Sequence, residues 1–187
     1  TFVDSVSGPK LEKSFPLIAA VGQGADKGKQ PILGEFRFKK KMSKKKVFLI
    51  GKGVSFDTGG LNIKTGSGMS LMKKDMGGAA NVLGLAGMIM SHKLPIRLRV
   101  LIPAVENNIS GEALRPLDVI TSRSGKTIEI GNTDAEGRLI LADAISLADE
   151  EAPELLICMA TLTGAARIAL GSDIAPFYTA DDHLAKK

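Results

Sequence analysis

The chain has 187 residues, of which 44% are hydrophobic, and carries one cysteine and a net charge of +5. This length and composition are typical of one globular domain with a substantial core, and no apolar stretch is long enough to span a membrane. One cysteine excludes an internal disulfide and favours a reducing, cytoplasmic location. The N-terminus has no secretory signal pattern. Because the chain begins without Met, we expect a piece of a longer protein.

The first quarter of the chain predicts strands and one basic turn. Residues 15–24 (FPLIAAVGQG) predict a strand that runs into a glycine turn. Residues 32–38 and 45–53 predict a hairpin, and the segment 39–46 between them carries six lysines that account for the positive charge. Six like charges favour a solvated tip. Contact with nucleic acid is the weaker alternative, because no aromatic residue interleaves with the lysines.

The rest of the chain alternates between predicted helices and strands. The predicted helices are 76–93, which is apolar nearly all round, 137–151 and 165–170. The predicted strands are 96–107, a short hairpin over 118–132, and 154–164, which we expect to be fully buried with Cys158 in the core. This alternation predicts an α/β fold in one domain, with a mixed, largely parallel sheet flanked by helices on both faces.

Charged residues cluster in three segments near the ends of predicted strands. The segments are 51–64 with Lys52, Asp57 and Lys64; 71–80 with Asp75; and 132–139 (NTDAEGRL) with Asp134, Glu136 and Arg138. Ligands of α/β sheets gather at the carboxyl ends of strands, which predicts one shared site.

The segment NTDAEGRL has two interpretations when it is taken alone. Its three charged residues are spaced two apart, and in an extended backbone they would all project to the same side. A well-hydrated surface turn is the alternative, because acids and glycine are ordinary loop residues.

Divalent metal ions would explain why four carboxylates should meet. Asp57, Asp75, Asp134 and Glu136 would repel one another in an apolar surround unless a cation neutralised them. Two ions about 3.5–4 Å apart need carboxylates that bridge them. Histidine ligands are not expected, since His92 ends an apolar helix and His183 lies in a polar tail. The motifs of zinc proteases, P-loops and serine hydrolases do not occur.

These residues resemble those of the leucyl aminopeptidases, the cytosol aminopeptidase family of dinuclear metallopeptidases. Four stretches match the family in order and spacing: IGKGVSFDTGG, MKKDMGGAA, NTDAEGRL and ATLTGA. The match runs from about Ile50 to Leu170. The resemblance implies that the chain is the N-terminal part of the family's catalytic domain. Residues 1–45 would be its lead-in, and residues 46–170 would hold the metal site.

The resemblance also implies a role for each matching residue. The implied metal ligands are Lys52, Asp57, Asp75, Asp134 and Glu136, with Asp57 and Glu136 bridging the two ions. Lys64 and Arg138 match the catalytic cations, and Met72, Thr161 and Gly164 match the pocket for the substrate's first side chain. Lys52 can bind a metal only when neutral, a state that burial and nearby divalent charge would favour.

The implied function is that of a metal-dependent exopeptidase. It would release N-terminal amino acids, preferably apolar ones such as Leu, through a water activated by two divalent ions. These ions would be zinc or manganese, with cobalt or magnesium as alternatives, and in the family the residue matching Arg138 holds a bicarbonate ion. We expect a cytoplasmic protein that acts on peptides and, at full length, forms the family's homo-oligomer, a hexamer. A further alternative is that these 187 residues hold a metal site but are inactive alone.

Overall fold

The computed structural model describes residues 2–39 and 43–186, which fold around one mixed sheet of six strands. The strands of this sheet are β1 Phe2–Ser7, β2 Ile32–Lys39, β3 Lys46–Gly51, β4 Gly53–Asp57, β5 Arg97–Asn107 and β8 Leu155–Met159. A separate hairpin consists of β6 Val119–Thr121 and β7 Thr127–Glu129. The helices are α1 Gly8–Ser14, α2 Pro16–Gly22, α3 Gly66–Met69, α4 Gly77–Ser91, α5 Glu136–Asp149, α6 Ala165–Leu170 and α7 Asp182–Ala185. Two 3₁₀ helices cover Met72–Met76 and Thr133–Ala135.

Strand β5 lies at the centre of the sheet, and the strand order is β1-β2-β5-β3-β8 with β4 also paired to β5. β2 runs antiparallel to β5, whereas β3 and β4 run parallel to it. Alternate residues of β5 point to opposite faces: Leu101 belongs to the core formed with α1, α2 and α5, and Val100 to the core formed with α4. The predicted α/β architecture, with helices on both faces of a mixed sheet, is therefore confirmed.

The predicted hairpin between residues 32–38 and 45–53 is wrong. β2 and β3 do not pair with each other, because β5 lies between them and pairs with both. β5 has eleven residues and is buried on both faces over most of its length, so it takes the central place that favours such strands. Of the lysine run, Lys44 and Lys45 are exposed, whereas Lys40 and Lys41 lie outside the described residues.

The predicted strand over residues 15–24 is also wrong, because Pro16–Gly22 form helix α2. Pro16 occupies the first turn, where the missing N–H costs nothing. The buried carboxylate of Asp143 on α5 accepts the N–H groups of Leu17 at 2.8 Å and Ile18 at 3.4 Å, and also that of Arg123 at 2.9 Å. Burial raises the pKa of Asp143, while the three donors lower it in part. A residue distant in sequence therefore caps α2 and joins it to α5.

Strand β8 differs from the prediction in its burial. The structure confirms a strand here but shows it half-exposed, and Cys158 is exposed rather than in the core. The reason is that β8 pairs only with β3 and forms the edge of the sheet in the described part of the chain. The predicted helices α4, α5 and α6, the strand β5 and the hairpin β6–β7 are confirmed. No helix within the described residues is both long and apolar enough to cross a bilayer.

Helix α4 packs so closely on β8 that there is no room for a side chain at Gly78. A Cβ atom on Gly78 would lie 2.1 Å from the carbonyl oxygen of Met159, whereas one on Gly84 of the same helix would meet nothing within 4 Å. We therefore expect Gly78→Ala to lower the free energy of unfolding by about 1–3 kcal/mol. Gly84→Ala should raise it by about 0.5–1 kcal/mol, because alanine restricts the unfolded chain more than glycine does. Denaturant unfolding of the two variants measures both changes, and equal shifts would contradict the described packing.

Candidate metal centre

The candidate centre lies at the carboxyl ends of β3 and β4, between the N-termini of α4 and α5. Lys52 connects β3 to β4, and Asp57 is the last residue of β4. Asp75 lies in the 3₁₀ helix that leads into α4, and Glu136 is the first residue of α5. Three separate segments of the chain therefore deliver these four charged side chains to the same edge of the sheet.

Three carboxylates meet, and the ammonium group of Lys52 pairs with two of them. Each of Asp57, Asp75 and Glu136 offers an oxygen within 4.8 Å of the others, and each residue is at most 2% exposed. Nζ of Lys52 lies 2.9 Å from Oδ2 of Asp75 and 2.8 Å from Oε1 of Glu136. The group is thus a dry cluster with more negative than positive charge.

The surroundings shift the pKa values of two members of this cluster. Burial raises the pKa of Glu136 to about 7, and Asp57 adds to the rise while Lys52 partly offsets it. For Lys52, burial alone would lower the pKa, but the attraction of Glu136 and Asp75 outweighs it and raises the pKa above 10.5. Without an ion beside it Lys52 is therefore charged, in contrast to the neutral form that metal binding requires.

Asp134 lies beside this cluster, to which Lys64 connects it. Nζ of Lys64 lies 3.0 Å from Oδ2 of Asp57 and forms a short hydrogen bond to Oδ1 of Asp134. Burial lowers the pKa of Lys64, but the two carboxylates outweigh it and raise the pKa. Lys64 therefore links Asp134 to the cluster of Asp57, Asp75 and Glu136.

The NTDAEGRL segment is helical rather than extended, which explains this separation. The side chain of Asn132 accepts the N–H of Asp134 at 2.8 Å and caps the 3₁₀ helix, and α5 follows at once. In a helix, residues two apart point in different directions. Glu136 is therefore buried in the cluster while Arg138 is exposed, and among the described residues Arg138 forms no hydrogen bond or ion pair.

The loop after β4 is tied to the NTDAEGRL segment by hydrogen bonds that the sequence analysis did not anticipate. Thr133 donates its N–H to Oδ1 of Asn62 at 2.8 Å, and Asn62 donates its N–H to the Thr133 hydroxyl at 2.8 Å. That hydroxyl donates in turn to the carbonyl oxygen of Gly59 at 2.7 Å. Gly59 and Gly60 have φ values of +88° and +64°, which glycine adopts without strain. Asn107 also hydrogen-bonds to both segments. In the sequence, the only indication of this contact is a polar residue at the end of an apolar strand.

Of the three residues expected to line a substrate pocket, Thr161 contacts Asp75 directly. The Thr161 hydroxyl donates to Oδ1 of Asp75 at 2.7 Å. Met72 is half-buried at the start of the 3₁₀ helix that carries Asp75, and Gly164 is exposed immediately before α6. Thr161 therefore orients a carboxylate of the cluster, a contact that its position in the sequence did not indicate.

The chemistry of these side chains fits a divalent cation. Oδ2 of Asp75 and Oε1 of Glu136 are buried next to Lys52, yet neither accepts a hydrogen bond from any described residue in favourable geometry. In the part of the chain that the structure describes, Lys52 is the one cation beside these two oxygens, and it leaves the third buried carboxylate, Asp57, to other partners, so the cluster keeps more carboxylates than Lys52 can neutralise. Carboxylate oxygens together with one amine nitrogen suit magnesium, manganese or zinc. Asp57, Asp75 and Glu136, with Lys52 and Asp134 beside them, could hold such an ion.

Comparison with known proteins gives a consistent family. A sequence profile described as "Cytosol aminopeptidase family, catalytic domain" matches residues 4–187. A relative from Xanthomonas axonopodis pv. citri (strain 306), named "Probable cytosol aminopeptidase", is 56% identical over 139 residues, which are 74% of this chain and 28% of the relative.

Solved structures agree in fold. The crystal structure of cytosol aminopeptidase from Coxiella burnetii is 56% identical, with a TM-score of 0.86 over 91% of this chain and 36% of the other. Leucyl aminopeptidase from Trypanosoma brucei, solved in complex with bestatin, is 40% identical, with a TM-score of 0.86 over 91% of this chain and 33% of the other. The chain therefore spans about a third of the length of these relatives.

The ion pairs of Lys52 should stabilise the metal-free protein most at alkaline pH. In Lys52→Met, Asp75 and Glu136 lose their counter-ion, and we expect the free energy of unfolding at pH 8.5 to fall by about 3–5 kcal/mol in the presence of a chelator. At pH 6 the loss should be smaller, because Glu136, whose pKa is already raised to about 7, is then protonated and uncharged.

The matched control for this prediction is Lys74→Met. Lys74 lies 3.9 Å from Oδ1 of Asp75 but is half-exposed, so its removal should change stability little. Urea unfolding at both pH values measures the effect, and equal losses for the two lysines would contradict the described geometry.

Proposed function

The chain belongs to the cytosol aminopeptidase family, and from this we propose that the protein is a metal-dependent exopeptidase that releases N-terminal amino acids from peptides. The observation that carries the proposal is the buried cluster of Asp57, Asp75 and Glu136 around Lys52. A purely structural ion pair would need one carboxylate as the partner of Lys52. This cluster contains three carboxylates, more than the ammonium group of Lys52 can neutralise. Excess buried negative charge is the property of a site that takes up cations.

We assign two divalent ions to this centre, held by Lys52, Asp57, Asp75, Asp134 and Glu136. Asp57 supports two ions rather than one, because it belongs to the cluster around Lys52 and also contacts Lys64, the neighbour of Asp134. Asp57 and Glu136 would be the shared ligands. Bound zinc or manganese, or alternatively cobalt or magnesium, supplies a water of lowered pKa and polarises a peptide carbonyl.

The two remaining cations have different tasks in the proposed reaction. Lys64 is half-buried and fixed between Asp57 and Asp134, so its ammonium group can donate to the carbonyl oxygen of the scissile peptide. Arg138 lies two residues after Glu136 in α5 and is exposed, and by the family resemblance it would bind a bicarbonate ion that carries the proton. Lys52 acts only as a ligand, after it has lost its proton.

The substrate would enter on the side of Asp75. We propose that the free amino group of the peptide binds at Asp75, which Thr161 orients. Met72, Thr161 and Gly164 would then form part of the pocket for the first side chain. Because this wall offers a thioether, a methyl group and no charge, it favours apolar residues such as Leu.

The lysine run has no place in this reaction. Its described members Lys44 and Lys45 directly precede β3, while the centre follows β3, and the six residues of the strand, at about 3.3 Å each, separate its two ends by roughly 20 Å. A nucleic-acid contact therefore remains a separate and less supported function. From the family resemblance alone, we also propose a cytoplasmic homo-oligomer at full length.

Two measurements test the proposed function. The 187-residue chain should bind Mn²⁺ in calorimetric titration, and a chimera in which it replaces the aligned part of the Coxiella burnetii protein should hydrolyse leucine p-nitroanilide. Mn²⁺ binding without turnover by the isolated chain would match the alternative of a metal site with an incomplete pocket. The absence of Mn²⁺ binding would overturn the proposed centre, and an inactive, folded and metal-loaded chimera would overturn the proposed activity.

Loss of a shared ligand should cost more activity than loss of a proton carrier. In the chimera we expect Arg138→Ala to reduce kcat by about 10²–10⁴-fold, the usual size of general-base assistance. Asp57→Asn should reduce it further and also lower the metal content, because Asp57 would contact both ions. Steady-state kinetics with elemental analysis of each variant measures the order. Equal kcat losses with unchanged metal content would contradict it.

Metal binding should release protons in a pH-dependent manner. Lys52 has a raised pKa and must lose one proton at any pH between 6 and 8, while Glu136, with a pKa of about 7, must lose a second one only at the acidic end. The affinity should therefore rise by about tenfold per pH unit near pH 8 and more steeply near pH 6.

Calorimetry in buffers of different ionisation enthalpy counts these protons. In Lys52→Met the constant proton should disappear while the Glu136 contribution remains. Release of no proton at pH 8 by the unaltered chain would show that Lys52 is not a ligand.

A further inference from the structure

Asn107 occupies the position from which the orientation of Asp57 can be set. It is the last residue of β5 and the direct register partner of Asp57, the last residue of β4. Its side chain is buried, with 4% of the residue exposed. A buried amide must satisfy its donors, and here both acceptors belong to segments that carry proposed metal ligands.

The amide group of Asn107 makes two hydrogen bonds. Nδ2 donates to Oδ1 of Asp57 at 2.9 Å and to the carbonyl oxygen of Thr133 at 3.1 Å. Because both partners can only accept, the nitrogen must be the atom that faces them. Thr133 directly precedes Asp134, so one amide joins the strand end with Asp57 to the segment with Asp134 and Glu136.

These bonds leave Asp57 with one available oxygen. Oδ1 also accepts the N–H of Gly59 at 2.9 Å, so two donors occupy it. Oδ2 faces the ammonium group of Lys64 at 3.0 Å. The carboxylate plane is thereby fixed, with Oδ1 turned to the protein and Oδ2 turned to the cations.

The backbone around Asn107 is held just as firmly. Its carbonyl oxygen accepts both the N–H of Thr58 at 3.0 Å and the Thr58 hydroxyl at 2.9 Å. A Cβ atom on Gly60 would come within 3.0 Å of Oδ1 of Asn107, so the loop after β4 passes directly over this side chain. Asn107 can therefore act as a rigid support rather than a mobile neighbour.

We propose that Asn107 is a positioning residue that directs Oδ2 of Asp57 to the metal ions by binding Oδ1, and this inference rests on the proposed metal centre. A neutral amide suits the task, because it donates to a carboxylate without adding a charge that would compete with the ions. Groups that orient metal ligands typically change metal affinity by about 10–100-fold when they are removed.

The test is the affinity of the 187-residue chain for Mn²⁺, measured by calorimetry with MnCl₂. Asn107→Leu, which has a similar volume and no donor, should weaken the affinity by about 10–100-fold. Asn107→Ser disturbs packing less and is too short to reach Oδ1 of Asp57, so it should weaken the affinity in the same direction. The absorption spectrum of the Co²⁺-loaded protein should shift in both variants, because a freed carboxylate changes the coordination geometry.

Two controls separate orientation from general stability. Asn108 is the neighbouring residue of the same type, and its side-chain amide contacts Glu106 instead, so Asn108→Leu should keep the affinity. Val105→Ala removes a buried side chain from the same strand, and it should lower the melting temperature without changing the affinity or the Co²⁺ spectrum.

Each outcome has a distinct meaning. Unchanged Mn²⁺ affinity in Asn107→Leu and Asn107→Ser would overturn the inference and leave the metal centre in place. An equal loss in Val105→Ala would also overturn it, because stability rather than orientation would then control binding. If the unaltered chain binds no Mn²⁺, the centre and the inference both fail.

Discussion

A buried ammonium group between two buried carboxylates is the interaction on which the rest of the structure depends. Lys52 is fixed by its backbone as well as its side chain, since its N–H donates to Met159 on β8 and its carbonyl oxygen accepts from Ala79 on α4. Its ion pairs reach Asp75 before α4 and Glu136 on α5, helices that pack on opposite faces of the sheet. Each buried charge costs several kcal/mol of solvation, which only close pairing offsets. The positions of α4 and α5 at the edge of the sheet can therefore vary only slightly.

Neutral donors surround this charged cluster, and their neutrality has a physical consequence. Thr161 donates to Asp75, and Asn107 and the N–H of Gly59 donate to Asp57. Each of these bonds stabilises the ionised carboxylate and fixes its rotation, yet none reduces the net negative charge of the centre. An arginine or lysine in the same positions would stabilise the carboxylates more strongly but would leave less reason for a metal ion to bind.

The sequence predicted the features that depend on local pattern and failed for those that depend on distant contacts. The helix α4, the strand β5 and the acids Asp57, Asp75 and Glu136 were predicted from apolar runs and from charges at strand ends, and the structure brings these acids together. The roles of the individual residues in catalysis stay predictions. By contrast, the apolar run of residues 15–24 predicts a strand, whereas these residues form α2, whose cap Asp143 lies more than a hundred residues away in sequence.

Two further errors have the same origin. The hairpin of β2 and β3 was inferred from proximity in sequence, whereas pairing with β5 decided the order. Cys158 was assigned to the core from its apolar neighbours, although its strand is at the edge of the described sheet. The role proposed for Asn107 could not be predicted from the sequence, because a single asparagine after an apolar run is common.

The central place of β5 also constrains the order in which the chain can fold during synthesis. Strand β2 can pair with the earlier β1, but β3 has no partner when it leaves the ribosome, since pairs such as Lys46 with Arg97 require residues made much later. Closing such long loops is entropically costly and slow. Until β5 has emerged, β3 stays unpaired and one edge of β2 stays open, and exposed strand edges of this kind favour aggregation or chaperone binding. Strand β5, which supports the proposed metal centre, must therefore be synthesised before the sheet can be completed.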